Sequence, residues 1–425
     1  MKIYKNNQRI AVWLLVSLII VLAGCEYETP EALWDPSKDL GIQPEITGIV
    51  PADSAAGGVT EIVLQGLNFS PIAENNLVYM YDVANEYAVS FGFIISTSST
   101  EIVLSRPNMS SNQLLIKVSV EGAYQLAEIS PYKIPIVVED YGIFDMRDYS
   151  SEPRVYCIAS DADENVYAAT YANSTRLIYK FNSAGELSEF ASTSFRTSYD
   201  MQIGPGGDVY IQRGKKYFDV FPADGSGDYK YGDGMPENAR FFDFDENHNI
   251  YCGYKDGIFL VNTDESNQAL GDYNPSFEIR AIKVFNNEYL YVAAEYSGTD
   301  TNLAEMGVWR SAINAVDNLG DPGQVFDMAD AWEAYSGAEI TSIALSGDGD
   351  LYVSVVVDDE DPILVVKEDG SIKPYYMGGI IPPHAFDLTW STGEVMYLNP
   401  GEDAASQNIL AIKMGEVGAP YFGRD

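Results

Sequence analysis

Across the first third of the chain, apolar residues fall in short runs that alternate with polar ones. Examples are Glu61-Ile62-Val63-Leu64-Gln65, Glu101-Ile102-Val103-Leu104 and Leu114-Leu115-Ile116-Lys117-Val118-Ser119-Val120, with Gly, Asn, Ser and Pro between the runs. Successive side chains of a strand point to opposite faces, so a period of two marks strands buried on one side. Between residues 44 and 135 this pattern predicts a small β-sandwich.

From Val155 onward the rhythm changes to a repeat. An aromatic-centred strand recurs six times: Asn165-Val166-Tyr167-Ala168, Asp208-Val209-Tyr210-Ile211, Asn249-Ile250-Tyr251-Cys252, Tyr289-Leu290-Tyr291-Val292, Asp350-Leu351-Tyr352-Val353 and Glu394-Val395-Met396-Tyr397-Leu398. The tyrosines lie 43, 41, 40, 61 and 45 residues apart. A polar turn precedes each, such as Asp161-Ala162-Asp163-Glu164, and an apolar strand ends about seven residues further back. A third strand follows, such as Ile363-Leu364-Val365-Val366-Lys367. Such a unit every 40 to 45 residues predicts a β-propeller of six blades, whereas a second sandwich would need no even period. The long fourth interval, 297–338, is an insertion on one blade and carries Trp309 and Trp332. The expected fold class is all-β, a sandwich followed by a six-bladed propeller.

The first residues form an address. Lys2, Lys5 and Arg9 precede an apolar run over 10–24, shorter than the roughly 20 residues that span a bilayer as a helix. The run ends in Leu22-Ala23-Gly24-Cys25, which resembles a bacterial lipobox. That resemblance implies a signal peptide over 1–24, cleavage before Cys25 and lipidation of its thiol. The plainer alternative is an ordinary signal peptide with an incidental cysteine. Residues 25–42 read as a tether, polar and without periodicity. Its acidic start resembles the surface-export signal of Bacteroidota-type lipoproteins, which implies an outer-membrane lipoprotein at the cell surface. A solvated linker on a protein facing the periplasm is the alternative.

Two further resemblances concern the folded parts. Pro44-Glu45-Ile46-Thr47-Gly48-Ile49-Val50-Pro51, Gly57-Gly58, Gly66-Leu67-Asn68-Phe69, Ser98-Ser99-Thr100-Glu101-Ile102 and Arg106-Pro107 resemble the IPT/TIG family of immunoglobulin-like domains. The implied module covers 43–138 and is a spacer or interaction domain with no catalytic residues. The repeat, over 139–425, is similar to NHL or gluconolactonase-like propellers.

Composition narrows the partners. The 425 residues carry 63 Asp and Glu against 25 Lys and Arg, a net charge of -38. Nucleic acid is not an expected partner, because binding its backbone needs clustered Lys and Arg. Two histidines and three cysteines leave little for zinc or haem. Without residues 1–24 the charge is about -41, which would hold the folded head off an anionic membrane.

Candidate site residues come from aligning the inner strands on the blade tyrosines. Nine residues back stand Ile158, Met201, Phe242, Ile282, Ile343 and Leu388, all apolar and so expected between blades. Eleven back stand Tyr156, Tyr199, Arg240, Arg280, Thr341 and Phe386. Thirteen back stand Arg154, Thr197, Asn238, Glu278, Glu339 and His384. These two sets predict a ring of aromatic, Arg, Glu and His side chains at one mouth of the central channel. Aromatic faces suit sugar rings or apolar side chains, and Arg forks suit carboxylates. Strand caps and inter-blade ion pairs are the alternative use of the same residues.

Sharper chemistry is weaker. His384 as a base lacks a sequence-visible nucleophile. Asp243-Phe244-Asp245-Glu246-Asn247-His248-Asn249 invites a calcium reading but occupies the inter-strand turn slot, where Asp and Asn are ordinary. Glu278, Glu339, Asn238, Asp200 and Asp387 are of the right type for a lactonase-like metal site, but spacing does not bring them together. Cys157 and Cys252 read as buried core thiols. The reading is an envelope lipoprotein, without cofactor or catalytic set. It binds a glycan or a partner protein at the propeller mouth and is held to the membrane by Cys25. The rivals are a propeller-type metal-dependent hydrolase or lactonase, and a scaffold of an envelope complex.

Overall fold

The computed structural model describes residues 42–55, 61–84, 89–107, 109, 111–135, 138–143, 154–172, 175–235, 238–255, 257–271, 273, 276–331, 333–357, 360–375, 381–382, 384–401 and 408–424. The expected signal segment, Cys25, most of the tether and Trp332 lie outside these residues.

Two four-stranded antiparallel sheets come first. One orders Glu45–Val50, Glu61–Leu67, Glu101–Ser105 and Phe93–Thr97, and the other Val89–Phe91, Asn76–Asp82, Ser111–Val120 and Ala127–Ile134. Their alternating apolar residues share one core, with Ile62, Leu64, Ile102 and Leu104 from the first sheet meeting Val78, Met80, Ile116 and Val118 from the second. The Gly66–Phe69 turn shows why small size matters there. A Cβ on Gly66 would stand 2.0 Å from the Glu45 carbonyl and 2.4 Å from the Phe69 ring. Asn68 takes a left-handed φ of 63° and ties the turn to the Gln43 carbonyl.

Six further sheets follow in chain order. Their inner strands are Arg154–Ser160, Asp200–Ile203, Phe241–Phe244, Phe277–Phe285, Glu339–Leu345 and Asp387–Trp390. Each inner strand packs against the next, and the sixth returns to the first. A closed ring of six sheets is a six-bladed β-propeller. All six residues at the minus-nine register are buried, at most 2% exposed. Each contributes about 1.5–3 kcal/mol by leaving water, so this layer helps hold adjacent blades together.

The ring closes with a strand that the repeat did not reveal. Three strands of the sixth blade come from the end of the chain, Asp387–Trp390, Val395–Asn399 and Asn408–Lys413, but its outer strand is Val138–Ile143. The chain thus enters the propeller on the rim of the last blade before building the first.

Inner strands expose N–H groups toward the hub, and a buried N–H must find an acceptor. For the inner strands of blades one, three and four the preceding blade supplies it. Asp200 of blade two accepts from the Phe242 amide of blade three at 2.9 Å, and Asp243 of blade three from the Val284 amide of blade four at 2.8 Å. Thr389 of blade six accepts from the Ser160 amide of blade one at 3.2 Å. Asp243 therefore belongs to an inner strand. The polar turn begins at Asp245, whose carboxylate accepts from the amides of Asn247 and Asn249. Asp161 plays the same part in blade one.

Candidate ligand-binding mouth

The two ends of the hub differ. At one end the segment containing Ala419, Pro420 and Tyr421 lies against Gln202, Asp243, Lys283 and Thr389. It is held there by Tyr421 Oη, which donates to the Ile203 carbonyl at 3.0 Å, and by the Ala419 amide, which donates to Leu345. At the other end a narrow cavity is lined by Tyr199, Arg280, Thr341 and Phe386, with Asp200, Lys283, Ser342 and Asp387 deeper in. Four of the six minus-eleven residues, from blades two, four, five and six, thus share one cavity.

Period two alone would send the minus-eleven side chains to the same inter-blade face as minus nine. Bulges redirect three of them. Register shifts between Val155 and Cys157, Ile279 and Ala281, and Ile340 and Ser342 leave Tyr156, Arg280 and Thr341 as the extra residues. An extra residue bends the strand and re-aims its side chain. In the other blades Tyr199, Arg240 and Phe386 stand just ahead of the inner strand and bond by their amides to the second strand.

Arg240 does not line the cavity but flanks it. Its guanidinium carbon lies 4.0 Å from the Tyr199 ring centroid and 3.7 Å from that of Tyr254. Tyr254 was not foreseen, because it follows its blade tyrosine by three residues, past the aligned strands. Its hydroxyl donates to Glu278 at 3.0 Å, and Lys255 pairs with the same carboxylate at 2.8 Å. Burial alone would push the Glu278 carboxyl up, but Lys255 and Tyr254 hold it below its ordinary value, so it stays ionised.

Arg280 is differently placed. It pairs with Glu295 at 2.6 Å and lies 3.9 Å from both Glu278 and Glu339. Glu295, also unforeseen, sits four residues beyond its blade tyrosine on an unusually long second strand, Tyr289–Tyr296. His384 meets the Phe386 ring edge-on at 6.1 Å. Of the twelve expected ring residues, Tyr199, Arg280, Thr341 and Phe386 line the cavity and the other eight do not. Tyr156 packs against the core between blades one and two, and Arg154 and Asn238 are exposed and do not line the cavity.

The lactonase-like metal set does not assemble. Asp200 and Asp387 accept backbone N–H groups inside the hub, Glu278 and Glu339 are drawn to Arg280, and Asn238 is exposed. Among the described residues no group of three His, Cys, Asp or Glu could hold a metal ion.

The interval 297–338 is largely blade four's own third and outer strands, Met306–Ala315, on which Trp309 is buried, and Gly323–Asp327. The insertion is confined to the segments around them, which make a second hollow. A cavity of about 770 Å³ is lined by Leu303, Met306 and Met328 and by Glu295, Glu305, Asp327, Glu333 and Glu339. Buried Tyr335 anchors this insertion, its hydroxyl donating to the Asp361 carbonyl at 2.9 Å.

No family model matches the chain, and no curated protein matches it. Several solved structures are similar. A protein of unknown function from Bacteroides thetaiotaomicron is 12% identical, with 89% of this chain and 99% of that chain covered and a TM-score of 0.49. An auxiliary nutrient binding protein from Bacteroides ovatus is 11% identical, with coverage of 88% and 98% and a TM-score of 0.48. A gluconolactonase from Xanthomonas campestris is 12% identical, with coverage of 63% and 88% and a TM-score of 0.47. The propeller stands on the closed ring of sheets itself. Among the described residues no helix is long and apolar enough to cross a membrane.

Proposed function

We propose that this protein is an exported lipoprotein of the cell envelope whose propeller captures a glycan at its open mouth. Cys25 carries the lipid, the following residues form the tether, and the N-terminal sandwich is an IPT/TIG spacer that sets the propeller away from the membrane. The observation that carries the reading is the convergence of Tyr199, Arg280, Thr341 and Phe386 around one narrow cavity of about 20 Å³ at the hub end opposite the Ala419–Tyr421 segment. That cavity is too small to admit a sugar, so the glycan rests on the exposed rim around it. Tyr199 and Phe386 are 38% and 37% exposed although they border a packed hub, and exposed aromatic faces beside convergent polar groups suit sugar rings.

The role is binding rather than hydrolysis. The mouth carboxylates lie beside Arg280, Lys255 and Tyr254, and the buried hub carboxylates Asp200 and Asp387 accept backbone N–H groups that join one blade to the next, a structural use of both sets that favours binding. The test is a glycan array probed with purified protein and with the Tyr199→Ala/Phe386→Ala double variant. Glycans retained by the first and released by the second, at an unchanged melting temperature, support the reading. Retention unchanged in the variant rejects the mouth as the site.

A further inference from the structure

The Tyr199–Arg240–Tyr254 stack says which glycan. With one ring centroid at 4.0 Å and the other at 3.7 Å, both faces of the Arg240 guanidinium are covered. What remains is its rim of in-plane N–H donors, a fork that matches a carboxylate and that the flanking rings hold against rotation. Two neighbouring cations already have carboxylate partners, Arg280 in Glu295 and Lys255 in Glu278. Among the described residues Arg240 has no carboxylate within ion-pair distance. The acid nearest along the stack, Glu278, is already bound by the Tyr254 hydroxyl and Lys255.

Resting on the reading of the mouth as a glycan site, we propose that Arg240 selects sugars that carry a carboxylate, namely uronic acids. The sugar ring lies on the exposed face of Tyr199 toward Phe386, and its carboxylate meets the edge of Arg240. The protein's net negative charge does not forbid this. Exposed charges beyond about 8 Å are largely screened at physiological salt, whereas a bidentate Arg–carboxylate pair acts at contact.

The experiment uses isothermal titration of purified protein with oligogalacturonate, oligomannuronate and hyaluronan fragments, each beside its carboxyl-reduced counterpart. The expected result is at least one uronate bound ten-fold or more tighter than its reduced form. Arg240→Gln erases that preference while the melting temperature holds. Arg240→Lys, which keeps charge and stem but loses the fork, keeps only part of it and guards against a variant that fails to fold. Absence of any uronate preference in the wild type overturns the proposal, as does a preference that survives Arg240→Gln. Neutral and acidic forms bound alike, and both lost in Tyr199→Ala/Phe386→Ala, would remove the charge selection while leaving the mouth as the glycan site.

Discussion

The carboxylate of Asp387, in the last blade, accepts a hydrogen bond from the backbone N–H of Ile158, in the first, at 2.9 Å. Two residues 229 positions apart thereby close the ring at its hub. The same carboxylate also accepts from the Leu388 amide and from Ser342 Oγ, at 2.9 and 3.1 Å.

Replacing Asp387 with Ala orphans the Ile158 amide and is expected to lower stability by about 2–4 kcal/mol, as for loss of a buried multiply bonded acceptor. Asn, which keeps an acceptor oxygen, should cost less. Chemical denaturation of both variants checks the order, and equal losses would contradict the acceptor role.

The hub acids also set a pH dependence. Burial, with Asp387 and Asp243 nearby, pushes the Asp200 carboxyl up to about 8 despite Lys283 and the Phe242 amide, and burial pushes Asp387 to about 6. An unfolded Asp releases its proton near 4, so between about pH 4 and 8 the folded chain binds more protons than the unfolded one. Stability is then highest near pH 4 as far as these groups go and falls as pH rises toward 8, by at most about 1.4 kcal/mol per pH unit for each group. Asp200→Asn should flatten that slope in denaturation curves measured from pH 4 to 8. An unaltered slope would show that Asp200 is not the group titrating.

Gly66→Ala tests the sandwich alone. With a carbonyl 2.0 Å from the new methyl, the turn must shift, and a loss of about 1–3 kcal/mol is expected, typical of overpacking. Differential scanning calorimetry should show the sandwich melting earlier and the propeller unchanged.

The two buried thiols should be inert. Cys157 and Cys252 are free and fully buried, and burial pushes both thiols well above their ordinary value. Cys157 lies 3.0 Å from Ser198 Oγ, and Cys252 lies 3.6 Å from Met235 Sδ. Iodoacetamide at pH 8 should label neither in the native protein and both after unfolding, read by mass spectrometry. Native labelling of either would place it nearer the surface than its strand allows.

Anchoring is tested by Cys25→Ser. The variant should leave the membrane fraction for the soluble one on cell fractionation, whereas continued membrane association would assign the attachment to something other than the lipid.

The sequence by itself determined what depends on local faces. Strands buried between blades must be apolar at a fixed offset from each blade tyrosine, whatever the neighbouring blade contains, so Ile158, Met201, Phe242, Ile282, Ile343 and Leu388 could be aligned before any contact was known. Turn residues such as Asp161 and Asp245 were equally legible, because their side chains bond to amides two and four positions on. Only the tertiary structure decided where distant strands pair and where registers slip. A bulge is a mismatch between two strands, so nothing within residues 277–285 announces that Arg280 will turn to the hub. Nor does spacing reveal that Glu295 claims Arg280 while Arg240 is left to Tyr199 and Tyr254, or that Val138–Ile143 completes a blade begun at Asp387. Periodicity records which way a side chain faces along its own strand, and ring closure alone chooses its neighbours.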